Sequence, residues 1–265
     1  MKNALVTGAG KRLGRAMALS LAEQGLNVAV HYAGSKDGAE ETVAAIRAMG
    51  RRAVTLQADL LEEEAAQALV GRAAEALDAP LDVLVNNASI FEYDTLASAT
   101  RESWDRHLGS NLRAPFVLMQ RFAEQAPQAA TDENGEARAQ ACVINMLDQR
   151  VRNLGPEFMT YTLAKSALWT LTRTAAQALA PHIRVNAIGP GPTLRGERQS
   201  QDHFDRQRAA TILRRGSNPQ DVTAAMTYLL HAPGVTGQLL CTDGGQHLGW
   251  ETPDVLGVEI PLWEG

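Results

Sequence analysis

The sequence predicts an α/β fold: one doubly wound parallel sheet of about seven strands, with helices on both faces. Three observations predict it. Short apolar runs alternate with helical patterning along most of the chain. Several of these runs are apolar almost throughout, as strands covered on both faces require. A glycine-rich turn joins the first run to the first helical segment, the arrangement of a nucleotide-binding βαβ unit.

Strands are expected at 4–7, 27–32, 53–57, 83–86, 142–146, 184–188 and 239–242. Helices are expected at 13–24, 40–49, 62–77, 102–125, 158–180 and 219–230. Gly25 and Gly50 follow the first two as C-terminal caps. Asn218 caps the last, with Pro219 at its first position. Such alternation implies right-handed crossovers and a parallel sheet. Residues 1–265 read as a single dinucleotide-binding and catalytic domain, without internal repeat or long linker. The polar stretch 128–140 contains Asn134-Gly135 and reads as a mobile surface loop. The arginine-rich stretch 194–217 has two readings, a substrate lid or a solvated helix pair. Its place at the carboxyl edge of the sheet favours the lid. The tail 248–265 carries Trp250, Leu256, Ile260, Leu262 and Trp263 and is expected to pack on the body or on a neighbouring subunit.

The 265 residues are 45% hydrophobic and 21% charged, enough for one well-buried core. A net charge of −5 argues against nucleic acid and anionic membranes as partners. The basic clusters Lys11-Arg12 and Arg214-Arg215 are too short to change that. Cys142 and Cys241 both lie in apolar runs and fit no metal motif, so reduced buried thiols are expected and no metal. The chain opens directly into a strand, and no apolar run approaches the ~20 residues of a membrane span. A cytoplasmic protein is expected.

The segment Thr7-Gly8-Ala9-Gly10-Lys11-Arg12-Leu13-Gly14 is where a dinucleotide pyrophosphate would sit, on backbone N–H groups and the positive helix end. Lys11 is followed by Arg12 and not Ser or Thr, so this is not a nucleotide-hydrolase phosphate loop. An acid at the end of the second strand would grip a ribose diol and repel a 2′-phosphate. The run His31-Tyr32-Ala33-Gly34-Ser35-Lys36 has none before Asp37. Arg12, Ser35 and Lys36 offer positive and hydrogen-bonding partners, which favours NADPH.

Tyr161 and Lys165 lie four apart on one helix face. A free phenol has a pKa of roughly 10, and a neighbouring ammonium would lower it. The pair is then a tunable general acid for protonating what a hydride has attacked. By itself the pattern also fits a packed ring and a solvated amine.

Together these residues resemble the short-chain dehydrogenase/reductase family over nearly the whole chain. The matching positions are the glycine-rich turn, Asp59, Asn86-Asn87-Ala88, Asn111, Tyr161 with Lys165, and Gly189-Pro190-Gly191. The resemblance implies a Rossmann-type sheet and cofactor contacts from Gly8, Arg12, Leu13, Gly14, His31, Tyr32, Ser35, Asp59, Leu60, Asn87, Ala88, Ser89, Tyr161, Lys165, Pro190, Gly191 and Thr193. It further implies that Asp59 meets the adenine and that Lys165 holds the nicotinamide ribose. Asn111 would hold a water in a proton relay to Lys165. A homotetramer packing through its fourth and fifth helices is implied as well.

Two departures resemble the pteridine reductase branch. Arg12 stands where most of the family has the middle glycine of the turn. Asp148, thirteen residues before Tyr161, stands where most of the family has a serine. The set His31-Tyr32 with Ser35, and Asn86-Asn87-Ala88-Ser89 followed by Phe91, points the same way. Reducing a ketone builds negative charge on oxygen. A carboxylate ~4 Å away opposes that by about 4 kcal/mol at an effective dielectric near 20, close to three decades in rate. An ionised Asp148 instead suits a substrate with N–H donors, such as the amino-pyrimidinone of a pterin. A protonated Asp148 could relay a proton, or the residue could merely cap the turn after its strand. Substrate contacts are expected from Arg12, Ser89, Phe91, Asp148 and Tyr161, with Phe91 stacking on a flat ring or serving as an ordinary wall. Tyr93, Leu194 and Trp250 are weaker candidates. The function expected is NADPH-dependent reduction of a dihydropterin or dihydrofolate. The alternatives are a carbonyl reductase of 3-oxoacyl or sugar type and a non-catalytic nucleotide-binding protein.

Overall fold

The computed structural model describes residues 1–196 and 199–250. In chain order the strands are β1 (Asn3–Val6), β2 (Asn27–Tyr32), β3 (Ala53–Gln57), β4 (Val83–Asn86), β5 (Ala130–Thr131), β6 (Ala137–Arg138), β7 (Ala141–Met146), β8 (Ile183–Pro190) and β9 (Leu239–Thr242). The helices are α1 (Arg12–Glu23), α2 (Lys36–Ala48), α3 (Glu63–Leu77), α4 (Arg101–Leu108), α5 (Ala114–Gln125), α6 (Met159–Leu179), α7 (Gln201–Ala209) and α8 (Pro219–His231). Seven strands pair in parallel in the order β3-β2-β1-β4-β7-β8-β9.

Both faces of the sheet are buried, so its strands show no polar alternation. Alternate residues of β1 serve opposite layers. Ala4 and Val6 pack with Met17 and Leu21 of α1, Ile46 of α2 and Met226 of α8. Leu5 packs with Leu69 and Leu77 of α3 and with Leu118 and Phe122 of α5. The chain leaves β1 toward β2 and β3, then returns to β4 on the other side. That reversal opens a crevice at the carboxyl ends of β1 and β4.

Buried polar groups fix the parts that border the crevice. Asn86 Nδ2 donates to Asn145 Oδ1 (2.8 Å), and Asn145 Nδ2 donates to Thr172 Oγ1 on α6 (3.0 Å). This chain sets the register of α6 on the sheet. His31 Nδ1 accepts the Gly8 N–H (3.0 Å), and its Nε2–H donates to Ala58 O (3.1 Å), joining the first turn to the end of β3.

Three local expectations change. The segment 102–125 is not one helix: α4 and α5 are separated by a π-turn, Gly109–Arg113. Pro115 supplies no N–H to the carbonyl of Asn111, so a regular helix cannot be completed there. The stretch 128–140 holds an antiparallel hairpin, β5 with β6, rather than a loop alone. Asp132 Oδ1 accepts from the N–H groups of Asn134 and Glu136, and Gly135 takes the left-handed conformation (φ +80°) that closes the turn. The helix expected at 40–49 begins earlier, at Lys36. A Cβ at Gly38 would lie 2.2 Å from Gly10 O, so its absence lets α2 start against the glycine turn.

The caps expected at Gly25 (φ +94°), Gly50 (φ +77°) and Asn218 are present. Both cysteines are free thiols. Cys142 is buried, Cys241 is half-buried, and burial pushes each thiol up to about 11. Among the described residues no helix is long and apolar enough to cross a membrane. Leu248 and Trp250 are exposed; the rest of the tail, 251–265, lies outside the described residues.

Burial lowers the His31 pKa from 6.5 to about 4, so the folded state holds the ring neutral. This contribution is complete above pH 6.5 and is lost as pH falls through 6.5 toward 4. It amounts to up to about 3 kcal/mol. Thermal unfolding across pH 7 to 4 should show the loss, and the His31→Gln variant should unfold with a visibly flatter acid dependence.

Candidate active site

The crevice is a cavity of about 810 Å³ running from the first turn to α6. Most of the expected site residues line it: Gly8, Arg12, Leu13, Gly14, His31, Ser35, Asp59, Leu60, Asn87, Ala88, Ser89, Phe91, Asp148, Tyr161, Lys165, Pro190, Gly191, Thr193 and Leu194. Tyr32 does not. The pleat turns its ring into the core beside α1, because His31 already takes the cavity-facing position. Asn111 does not line it either. Its side-chain amide accepts from Ile90 N (2.9 Å) and donates to Ile90 O (2.8 Å), so it clamps the strand-to-loop segment that carries Ser89 and Phe91. Its backbone carbonyl lacks the donor that Pro115 would have supplied as any other residue. Tyr93 and Trp250 are exposed and lie off the wall.

One end of the cavity fits a dinucleotide phosphate. Lys11, at the N-cap of α1, makes no side-chain capping bond, so the first turn presents backbone donors to the cleft. A Cβ at Gly14 would sit 2.2 Å from Gly8 O, so only glycine lets helix and turn close to this distance. Thr7 Oγ1 accepts from Asn87 N and Ala88 N (2.9 Å each), and Asn87 Nδ2 donates to Thr7 O (2.8 Å). Lys11, Arg12 and Ser35 border the cavity beyond β2. Lys36 is instead turned toward Glu40 (3.8 Å). Arg12 holds a left-handed backbone (φ +55°), and its guanidinium donates to Leu194 O (3.0 Å) and Arg195 O (2.9 Å) across the mouth.

At the other end, α6 carries Tyr161 and Lys165 on its buried face. The Tyr161 hydroxyl donates to Asp148 Oδ2 at 3.1 Å. Asp148 Oδ1 accepts from Arg150 N (2.8 Å) and caps a short 3₁₀ turn, Gln149–Val151. One oxygen of this residue therefore caps the turn, and the other faces the phenol. Burial first, then the Asp148 carboxylate, pushes the Tyr161 pKa well above its ordinary value; Arg150 and Ser89 oppose this weakly. The expected acidification by Lys165 is not what governs the phenol. Lys165 Nζ lies 5.7 Å from the ring centre and donates to Met146 O (2.7 Å), whereas the carboxylate touches the hydroxyl. Burial brings the Lys165 ammonium down to about 8, against the opposing pull of Asp148. The arrangement is a phenol that keeps its proton until a strong base forms beside it.

Several residues here went unforeseen. Asp94 is buried; it accepts from Thr160 N (3.1 Å) and from Thr160 Oγ1 (2.5 Å) at the start of α6. His107 Nδ1–H donates to Thr160 Oγ1 (2.7 Å), its Nε2 accepts from Glu92 N (3.1 Å), and its ring sits edge-on to Tyr161 at 6.1 Å. These groups fix the Tyr161 ring, and nothing in the sequence pairs positions 66 residues apart. Phe158 (φ +55°) stacks on Phe91 with centroids 4.3 Å apart, and Phe91 meets the Tyr161 ring at 4.7 Å. One face of Phe91 is thus taken by Phe158. Cys241, Asp243 and His247 bring potential metal ligands within 4.8 Å of one another. Asp243 is occupied by the His247 ring (2.7 Å) and by the N–H groups of Gly245 and His247, which closes the turn after β9.

Comparison with known proteins identifies the scaffold. Residues 8–247 match a family model described as enoyl-(acyl carrier protein) reductase. The crystal structure of FolM alternative dihydrofolate reductase 1 from Brucella canis, complexed with NADP, is 40% identical with a TM-score of 0.88. The match covers 96% of this chain and 97% of that one. Its counterpart from Brucella suis, also with NADP, is 42% identical at a TM-score of 0.88, covering 96% and 98%. The 3-oxoacyl-acyl-carrier-protein reductase FabG of Staphylococcus epidermidis is 32% identical over 252 residues, 93% of this chain and 99% of its own length. The chain belongs to the short-chain dehydrogenase/reductase family.

Proposed function

We propose that this protein is an NADPH-dependent reductase of a pterin-type ring, converting a dihydropterin or dihydrofolate to its tetrahydro form. The observation that carries the reading is the Asp148 carboxylate at 3.1 Å from the Tyr161 hydroxyl, inside the cavity. Similarity to two FolM dihydrofolate reductases bound to NADP supports it. The uncapped helix α1, the absence of an acid from His31 to Lys36 and the placement of Lys11, Arg12 and Ser35 support NADPH.

The bound cofactor supplies a hydride to a ring carbon. The adjacent nitrogen then carries the electron pair, and Tyr161 delivers its proton there. A raised phenol pKa is compatible with this step, because such a nitrogen is far more basic than a phenolate. Each Asp148 oxygen has a lone pair beyond the bond it already accepts, so the carboxylate can take the N–H donors of an amino-pyrimidinone and orient the ring. Lys165 is the candidate holder of the ribose, and Phe91, on the cavity wall, suits contact with a flat ring. Arg12, Phe204 and Gln207 border the mouth, and α7 buries none of its residues, which suits a lid at 194–217. Asn111, through its backbone carbonyl, is the candidate holder of a relay water.

The FabG relatives favour a second reading, reduction of a 3-oxoacyl thioester. The Asp148 charge opposes the alkoxide which that reaction builds. The two part on turnover of dihydrobiopterin against acetoacetyl thioester. Dihydrobiopterin should be the faster, and Asp148→Ser should lower its kcat/KM by roughly 10- to 100-fold. Faster thioester turnover, or full pterin activity in the variant, would overturn the reading. NADPH should be preferred at least about tenfold over NADH, as one charge-assisted bond to the 2′-phosphate requires; a tenfold preference for NADH excludes the assignment.

The assembly is proposed to be a homotetramer, with α4, α5 and α6 facing its partners. Leu108, Leu112, Phe116 and Leu171 line an apolar hollow of about 660 Å³ between these helices, and Trp104 and Leu163 are exposed nearby. Light scattering should return four times the chain mass, and a monomer would refute it.

A further inference from the structure

We infer that Arg150 is an anion subsite at the substrate end of the cavity and that the preferred substrate is a flat heterocycle bearing a carboxylate tail. This rests on the pterin reading and deepens it. Arg150 lines the cavity two residues beyond Asp148. Six other arginines, at 15, 101, 106, 113, 121 and 215, pair with carboxylates at 2.5–2.9 Å. Among the described residues Arg150 has no such pair. Its Nη1 donates to Glu157 O (3.2 Å), which anchors one corner of the guanidinium. Its Nε is buried without a hydrogen-bond partner, and none is made by Nη2 among the described residues. The edge left unpaired is Nε with Nη2, a fork whose spacing matches the two oxygens of a carboxylate. A buried donor without an acceptor carries a free-energy cost that a ligand oxygen would remove.

The surroundings give that fork a direction. The guanidinium lies over the Phe158 ring at 5.1 Å, Phe158 stacks on Phe91, and Phe91 abuts Tyr161. Phe91, Asp148, Gln149, Arg150 and Tyr161 line the same cavity. A heterocycle reacting beside Tyr161 and Phe91 would therefore send a tail past Asp148 and Gln149 to the Arg150 guanidinium. Two acids lie nearby and oppose a substrate carboxylate. Asp148 is engaged by Arg150 N and the Tyr161 hydroxyl, and Glu157 Oε1 lies 3.4 Å from the Tyr93 hydroxyl. Arg12, at the opposite lip, is held by Leu194 O and Arg195 O, so Arg150 is the cavity-lining arginine whose Nε–Nη2 edge is unpaired among the described residues.

The test compares dihydrofolate, which carries carboxylates, with dihydrobiopterin, which carries none, in kcat/KM with NADPH. The readout is the ratio of the two values, which cancels any loss common to both substrates. Wild type should favour dihydrofolate. In Arg150→Met the ratio should fall roughly 10- to 100-fold, the value of a charge-assisted pair. Arg150→Lys should keep part of the preference, because it keeps the charge but loses the fork. A ratio unchanged in Arg150→Met, with both substrates turned over, overturns the subsite and leaves the pterin reading standing. Failure of wild type to reduce either pterin overturns both. A thermal melt of each variant separates lost folding from lost recognition.

Discussion

The turns after β1 and β4 share one hydroxyl. Thr7 Oγ1 accepts from two successive backbone N–H groups, those of Asn87 and Ala88, and the Asn87 side chain returns a bond to Thr7 O. The parallel sheet brings these two turns together where its strand order reverses, but packing alone would not hold their spacing. His31 adds a second brace by bonding Gly8 on one side and Ala58 on the other. The floor of the cleft is therefore a hydrogen-bonded unit built from four strand ends, those of β1, β2, β3 and β4. The glycines above it are tight because this unit leaves no room for a Cβ.

The electrostatics of the catalytic end follow from burial as much as from partners. Tyr161 and Lys165 are both removed from water, and each is pushed toward its neutral form. Asp148 then adds to the effect on the phenol and opposes it on the amine. A serine in its place would remove that asymmetry. On the proposed function, the phenol releases its proton to a strong nitrogen base, and the Asp148 carboxylate beside it disfavours an oxyanion. That preference, rather than the scaffold shared with the FabG relatives, carries the functional reading.

The rigidity of this end comes from outside the motif. Asp94, Thr160 and His107 form a buried hydrogen-bonded chain behind the Tyr161 ring. The left-handed Phe158 turns the chain into α6 and carries its own ring onto Phe91. Holding the Tyr161 ring between Phe91 and His107 keeps its hydroxyl on one line, which proton transfer to a defined atom demands.

Periodicity and the glycine turn determined the sheet and most of its helices, and the family resemblance named most residues of the crevice. The first two are local signals: alternating strand and helix patterns, and residue types that a turn tolerates. Tyr161 and Lys165 were legible from helical spacing, and Asp148 from the resemblance, as the position where most of the family has a serine. What tertiary structure decided concerns direction and distance. Tyr32 faces the core because the pleat gives His31 the other side. Asn111 spends its amide on Ile90, and Pro115 turns one expected helix into two around a π-turn. The Tyr161 phenol is governed by burial and then by Asp148, not by Lys165, whose ammonium is turned toward the Met146 carbonyl. Such outcomes depend on contacts between positions far apart in the chain, and no local pattern encodes which of two neighbours comes closer.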